Sequence, residues 1–232
     1  MSPSTAPSSP PGGDAGTAGW RGLVVAGVAV MAYALLSHWL MVHAADHPWS
    51  VAVLFGPLVL AIAATGWRRR QPLLLGACAA GIAYLAWLVT HGGVVQINRM
   101  YVLQHGAVHL ALAWAFAVTL RGGGTPLITS LARGVHGALK QRFTPAMAAY
   151  TRTLTIVWMG YFVVMVGLSL LIYTLAPWPW WSLFANLGTP LSAAALMVGE
   201  HVQRYRLHPE FERVSLQAAI HAYRSSGREA PR

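Results

Sequence analysis

Long apolar runs, separated by short polar segments, dominate the chain. Six runs of 17 to 23 residues contain no Asp, Glu, Lys or Arg: 22–41, 50–66, 72–90, 102–120, 154–176 and 182–199. At a rise of about 1.5 Å per residue, a helix of such a length crosses most or all of a hydrocarbon core of about 30 Å. No period-two alternation persists along the runs, and an open sheet edge is untenable in lipid. The pattern therefore predicts an all-α membrane protein, a bundle of six transmembrane helices.

The composition agrees with a lipid-facing surface. Only 9% of the 232 residues are charged, whereas a soluble domain has about a quarter. The single cysteine, Cys78, lies in an apolar run, so the chain can form neither an intramolecular disulfide nor a multi-thiolate metal site. The net charge of +10 could suggest nucleic acid as a partner, but the distribution of the charge favours membrane topology instead.

The basic residues set the orientation of the predicted spans. With the N-terminus in the cytoplasm, 15 of the 16 Lys and Arg residues fall on the cytoplasmic side, and Arg99 alone falls outside. Cytoplasmic loops of membrane proteins carry such an excess of Lys and Arg. Most tryptophans fall at the ends of spans, as in an aromatic belt. We therefore expect both termini to be cytoplasmic.

Three regions follow from this map. Residues 1–19, rich in Ser, Pro and Gly, are predicted to form a disordered tail, residues 20–200 the transmembrane domain, and residues 201–232 a cytoplasmic tail with a short helix from Pro209. Thr125-Pro126 and Thr144-Pro145 are typical helix starts. After the first of them, apolar residues recur every four positions: Leu127, Leu131, Val135 and Leu139. This stripe predicts an amphipathic cytoplasmic helix that either lies on the membrane or docks a protein partner.

Histidines gather at the predicted outer side and supply the candidate chemistry. His43, Asp46 and His47 lie within five residues of one another, and Arg99 is predicted on the same side. A histidine oriented by Asp46 could act as a base, while Arg99 could hold an anionic headgroup. The alternative is that these side chains are interfacial residues, hydrogen-bonded to backbone or lipid.

A metal or haem site is a further alternative. His105 and His109 are four residues apart and share a helix face, as two metal ligands would require. His38 and His105 are predicted at a similar depth in spans one and four, where they could ligate one haem. No haem-attachment, nucleotide-binding or protease motif occurs, and Glu200 is expected to pair locally with Arg204.

From Thr144 onward the chain resembles a family of bacterial inner-membrane proteins. The similarity lies in Tyr150-Thr-Arg152-Thr-Leu-Thr155-Ile-Val-Trp158, in the Trp-Pro-Trp-Trp segment at 178–181, in Leu183-Phe184-Ala-Asn186-Leu, and in Gly199-Glu200-His201. Members tend to be associated with fatty-acid-like or aryl-polyene synthesis pathways. The resemblance implies a location in the inner membrane and a pathway neighbourhood; it supplies no catalytic residues.

The leading functional hypothesis is an accessory or scaffold protein without catalysis of its own. It would organise cytoplasmic enzymes of acyl or polyene synthesis through the segments 121–152 and 200–232. The first alternative is a membrane enzyme or lipid-binding protein that uses the outer cluster of His43, Asp46, His47 and Arg99. The second is a small transporter or a haem-binding membrane protein.

Overall fold

The computed structural model describes residues 14–45, 47–91, 93–139, 142–209 and residue 211. Within these residues the chain is helical and contains no strand. The elements follow in this order: α1 (Asp14–His43), α2 (Pro48–Arg68), α3 (Pro72–His91), α4 (Gly93–Leu120), α5 (Leu127–Ala138), α6 (Pro145–Leu175), α7 (Trp178–Leu183), a π-helical turn (Phe184–Gly188) and α8 (Thr189–Leu207).

Six helical stretches of the described chain are long and apolar enough to cross a membrane. They are the part of α1 from Val24, then α2, α3, α4, α6, and the continuous stretch Trp178–Leu207 that joins α7, the π turn and α8. Each predicted span falls inside one of these stretches to within two residues. The prediction of six apolar helices is therefore confirmed, and they give the chain the architecture of a multi-pass membrane protein.

Several helices begin earlier than the apolar pattern predicts. Helix α1 begins at Asp14, inside the predicted tail, and α4 begins at Gly93 instead of residue 102. Gly93, at φ +68°, allows a tight turn between α3 and α4, so the polar residues that follow it continue directly into a helix. Helix α7 includes the Trp-Pro-Trp-Trp segment, because Pro179 lies in its first turn, where proline is tolerated. At these three positions the helices extend beyond the apolar runs.

Of the two predicted helix starts, Thr125-Pro126 and Thr144-Pro145, only the second is capped as predicted. Thr144 is the N-cap of α6, and its hydroxyl accepts a hydrogen bond from the N–H of Met147 at 3.2 Å, as predicted. Thr125 does not cap α5, which begins after Pro126. Instead, the hydroxyl of Thr119, at the end of α4, accepts a hydrogen bond from the N–H of Leu127 at 3.0 Å. The start of α5 is therefore fixed by the preceding helix.

Helices α4 and α6 pack closely along each other. Helices α2 and α3 form a hairpin, α1 packs against α7 and the π turn, and α5 lies against α6. The buried core gathers near the junctions α1–α2 and α6–α7, where Leu40, Tyr101 and Trp181 are almost fully enclosed. Much of the remaining apolar surface is exposed, as expected for helices that face lipid.

The junctions define two ends of the bundle. We call the histidine end the one that holds the connections 43–48, 91–93 and 175–178, with His43, His47 and His91. The basic end holds the described residues of the connections 68–72 and 120–145 and the described residues after Leu207, with Arg69, Arg121 and Arg204. The predicted tail helix after Pro209, the predicted tail up to residue 13, and Lys140 fall outside the described residues, apart from Pro209 and Phe211.

Candidate functional site: a cavity at the basic end

The residues predicted to form an outer cluster are placed at the histidine end, with separate contacts. His43 is the last residue of α1, where its ring stacks on Trp39 at 5.4 Å and its Nδ1 donates to the Trp39 carbonyl at 3.1 Å. His47 precedes α2 and stacks on Trp49 at 6.4 Å. Arg99 is exposed on α4, and Asp46 lies outside the described residues. The described contacts of His43 and His47 are thus with the nearest tryptophan in sequence, as in an interfacial belt.

His38 and His105, the predicted haem pair, each contact a hydroxyl group of the last span. Nδ1 of His38 lies 2.9 Å from the Ser182 hydroxyl, and Nε2 of His105 lies 3.2 Å from the Thr189 hydroxyl. Because Thr189 donates its own proton to the Phe184 carbonyl, Nε2 of His105 donates to Thr189. This leaves Nδ1 of His105 buried without a partner among the described residues.

His105 and His109, the predicted metal pair, lie side by side on α4. Their ring centroids are 4.2 Å apart, and Nδ1 of His109 donates to the His105 carbonyl at 2.7 Å. Among the described residues, no three His, Cys, Asp or Glu side chains come together as a metal site would require. The pair packs instead against aromatic rings, of Trp181 and Phe162 respectively.

A cavity of about 500 Å³ lies at the basic end, between α5, α6 and α8. This volume is in the range of small-molecule sites. Its walls are mostly apolar and come from all three helices: Leu131 and Val135 of α5, Met147 and Trp158 of α6, and Met197 of α8. Phe211, which follows α8 and is buried, closes one side. The cavity is therefore an apolar space bounded by two spans and by the short helix that joins spans four and five.

One polar group lies in the wall of this cavity and links α6 to α8. The hydroxyl of Tyr150 donates to Oε1 of Glu200 at 3.0 Å, and Nε of Arg204 donates to the same oxygen at 2.7 Å. The pairing of Glu200 with Arg204, four residues apart on one helix face, confirms the predicted local ion pair. The side chain of Arg204 remains 34% exposed, whereas that of Glu200 is 12% exposed. A ligand can therefore reach the guanidinium group.

Aromatic side chains surround this polar group. Phe211 stacks face to face on His208 at 4.4 Å and meets the Tyr150 ring edge-on at 6.0 Å. On the α5 side, the His136 ring packs edge-on against Phe143 at 5.6 Å. Nδ1 of His136 donates to the Ala132 carbonyl at 2.9 Å, which leaves its buried Nε2 without a partner among the described residues. The cavity wall thus contains a hydrogen-bonding atom that the described chain does not use.

The sequence predicts the Glu200–Arg204 pair of this site but not the contact of Glu200 with Tyr150 or the cavity itself. Glu200 and Arg204 are a local pair and were predicted as such. Tyr150 lies fifty residues before Glu200, and no periodicity connects them. The signal that could have pointed to the site is the position of Glu200, the one acidic residue between Asp46 and Glu210. An acid at the edge of a span needs partners, and such residues mark sites by default.

Comparison with known proteins gives no relative from which a role can be transferred. No protein-family model, no curated protein and no solved structure matches the chain. The functional interpretation rests on the geometry of the chain itself.

Proposed function

We propose that the protein binds the acyl chain of a membrane amphiphile in the cavity between α5, α6 and α8, and serves as an accessory component of acyl or polyene synthesis. In this proposal it is a multi-pass protein of the bacterial inner membrane with both termini in the cytoplasm. The observation that carries the proposal is an apolar cavity of about 500 Å³ with the polar group of Tyr150, Glu200 and Arg204 in its wall.

The apolar walls favour an acyl chain as the occupant. The cavity lies between helices that are long and apolar enough to span a membrane, so the surrounding medium is itself made of acyl chains. Trp158 and Met197 line the part of the cavity farthest from the basic end. Apolar side chains offer ions and water no hydrogen-bonding partners. A hydrocarbon chain, in contrast, makes van der Waals contacts with them.

The polar group suits the head of such an amphiphile. Arg204 supplies a partly exposed guanidinium group, and the unused Nε2 of His136 supplies a second hydrogen-bonding position. Glu200 is already held by Tyr150 and Arg204 through one oxygen. These hydrogen bonds hold the side chains of Tyr150, Glu200 and Arg204 in place. Side chains fixed in this way favour binding of the ligand's head group over a chemical reaction on it.

The charge distribution supports a cytoplasmic position of the cavity. The basic end contains 15 of the 16 Lys and Arg residues in the predicted topology, and the cavity lies at that end. Cytoplasmic enzymes of acyl-chain synthesis would meet this end of the bundle first. An acyl chain held at the inner leaflet would then lie within their reach.

Ligand binding tests the first part of the proposal. Ala132 lines the cavity from α5, so Ala132→Trp fills it, whereas Ser130 is exposed on the same helix and Ser130→Trp serves as the matched control. Delipidated protein would be titrated with lysophosphatidylethanolamine and bound ligand counted by native mass spectrometry. We expect a loss of binding of at least tenfold for Ala132→Trp and none for Ser130→Trp. Equal binding by both variants would refute the proposed site.

Co-purification tests the accessory role against the enzyme alternative. Removing residues 212–232 leaves Phe211 in place, so cavity closure is retained while the rest of the cytoplasmic tail is lost. We expect the truncated protein to lose its cytoplasmic partners, and the variants His43→Ala, His47→Ala and Arg99→Ala to keep both partners and ligand. The reverse pattern would favour an enzyme or lipid-binding site at the histidine end.

A further inference from the structure

A second apolar cavity lies on the other side of the Tyr150–Glu200 link. Its volume is about 800 Å³, and it lies between α6 and α8. Small side chains form much of its wall: Ala146, Ala149, Ala195 and Gly199. We call this space the groove and keep the word cavity for the first one. Tyr150, Leu154 and Glu200 line both, so one polar link separates the two spaces.

The cavity and the groove extend in the same direction from that link. On α6 both linings begin at residues 146–147, and from Tyr150 they continue seven or eight residues, to Val157 in the groove and Trp158 in the cavity. Seven or eight helical residues correspond to about 10–12 Å along the axis. On α8 both linings begin at residues 195–197, pass Glu200 and continue towards the basic end, to Arg204 in the cavity and His208 in the groove. Two parallel apolar spaces therefore share a polar group at the basic end and point towards the middle of the membrane.

This arrangement matches the shape of a lipid with two chains on one head. We propose that the ligand is a two-chain lipid that straddles the Tyr150–Glu200 link, with its head at Arg204, one chain in the cavity and the other in the groove. The inference rests on the proposed function and adds the number of chains. A ligand with one chain fills only one of the two apolar spaces, and a second molecule must then fill the other. A two-chain lipid fills both spaces and places its single head group at the shared polar group.

The geometry of α8 allows the groove to be filled without disturbing the fold. A Cβ atom at Gly199 would meet no atom within 4 Å, so Gly199→Phe projects a ring into the groove. Phenylalanine is also a better helix residue than glycine. Ala149→Phe, which fills the groove from α6, is the second variant. Val198 is exposed and lies in neither lining, so Val198→Phe is the matched control.

The experiment compares two probes that differ in chain number. Delipidated wild type and the variants would be titrated with dioleoyl-phosphatidylethanolamine and with its single-chain lyso form, and binding measured by native mass spectrometry. We expect wild type to bind one two-chain lipid per protomer. Gly199→Phe and Ala149→Phe should weaken that binding at least tenfold and leave the lyso form bound, while Val198→Phe behaves as wild type.

The outcomes separate this inference from the function it rests on. If Ala132→Trp abolishes binding while both groove variants bind the two-chain lipid as Val198→Phe does, the ligand uses the cavity alone and the two-chain inference is wrong. If neither Ala132→Trp nor the groove variants change binding, the proposed function fails as well. Wild type that binds the lyso form but not the two-chain lipid would also overturn the inference.

Discussion

Two neighbouring tryptophans in α7 show how different the environments of adjacent residues are. Trp181 is fully buried, donates from Nε1 to the Ser169 hydroxyl at 3.0 Å, and stacks on Trp178 at 4.8 Å. Trp180 is 62% exposed. The apolar pattern assigns both to an aromatic belt, but only Trp180 has the exposure of a belt residue. Trp181 is a core residue whose one polar atom is satisfied.

Substitution of these tryptophans tests the distinction. We expect Trp181→Ala to lower the free energy of unfolding by about 3–5 kcal/mol, because it leaves a large void and an unpaired Ser169 hydroxyl. Trp180→Ala, which removes an exposed ring, should change it by less than about 0.5 kcal/mol. Reversible unfolding in mixed micelles provides the measurement. Equal losses in the two variants would contradict the burial of Trp181.

The hydroxyl of Tyr150 is a second test at this scale. Tyr150→Phe keeps the ring in contact with Phe211 and removes the hydrogen bond to Glu200. Hydrogen bonds between membrane helices contribute about 0.6 kcal/mol on average. We expect a loss of about 0.5–1 kcal/mol in the same unfolding assay. Tyr84→Phe is the control, since Tyr84 is exposed on α3; a loss of similar size there would remove the case for a specific link.

At the scale of elements, α5 is held to α6 by threonines. The hydroxyls of Thr129 and Thr151, both buried, are 2.8 Å apart, and Thr155 accepts a hydrogen bond from the N–H of Ile128 at 3.3 Å. These bonds hold the first turn of α5 against α6, and residues of α5 from Ile128 to His136 form a wall of the cavity. The position of α5 therefore determines the shape of the proposed site.

Weakening this attachment should make α5 open more often. Thr129→Val removes one bond but leaves Thr151 satisfied by the Met147 carbonyl, so the cost should be about 0.5–1.5 kcal/mol. Arg133 is exposed on α5 and is a site for trypsin. Cleavage after Arg133 should become faster by a factor of about 2–10, because local opening precedes cleavage. Ser130→Ala, on the exposed side of the same helix, should not change the rate; unchanged cleavage in Thr129→Val would show that the bond does not hold α5.

At the scale of the whole molecule, the cavity and all the described Lys and Arg residues except Arg99 lie at one end, and the predicted outer histidines lie at the other. If the basic end is cytoplasmic, residues at the junctions 43–48 and 91–93 face the opposite compartment. His47 and His91 are exposed there, and Arg69 and Arg121 are exposed at the basic end. Each of these positions can therefore report on the side of the membrane that it faces.

Cysteine labelling measures this topology directly. The single native cysteine is replaced in Cys78→Ala, and one cysteine is then introduced per variant. We expect a membrane-impermeant maleimide to label His47→Cys and His91→Cys in intact spheroplasts. Arg69→Cys and Arg121→Cys should react only after the membrane is opened. Labelling of Arg69→Cys in intact spheroplasts would invert the orientation and place the cavity outside the cytoplasm.

Local features of this molecule are readable from the sequence, and features that depend on packing between distant segments are not. The six spans follow from apolar composition alone, and the capping of α6 by Thr144 depends on three neighbouring residues. The Tyr150–Glu200 bond depends on how α6 meets α8, and the burial of Trp181 on how α7 meets α6. Neither contact produces a periodic pattern in the sequence. The cavity is a space between three helices, and no pattern in the sequence predicts it.

The π-helical turn Phe184–Gly188 determines the azimuth of the last span. The N–H of Thr189 donates to the Phe184 carbonyl, five residues back, so this turn holds one residue more than an α-helical turn. If the same residues formed an ordinary α-helical turn instead, everything after it would be rotated by about 100° about the helix axis, with an axial shift of about 1.5 Å. Glu200 and Arg204 would then swing away from Tyr150 and face the hydrocarbon. The one additional residue in this turn thus determines which face of α8 lies towards α6. It also determines whether the cavity forms between these two helices.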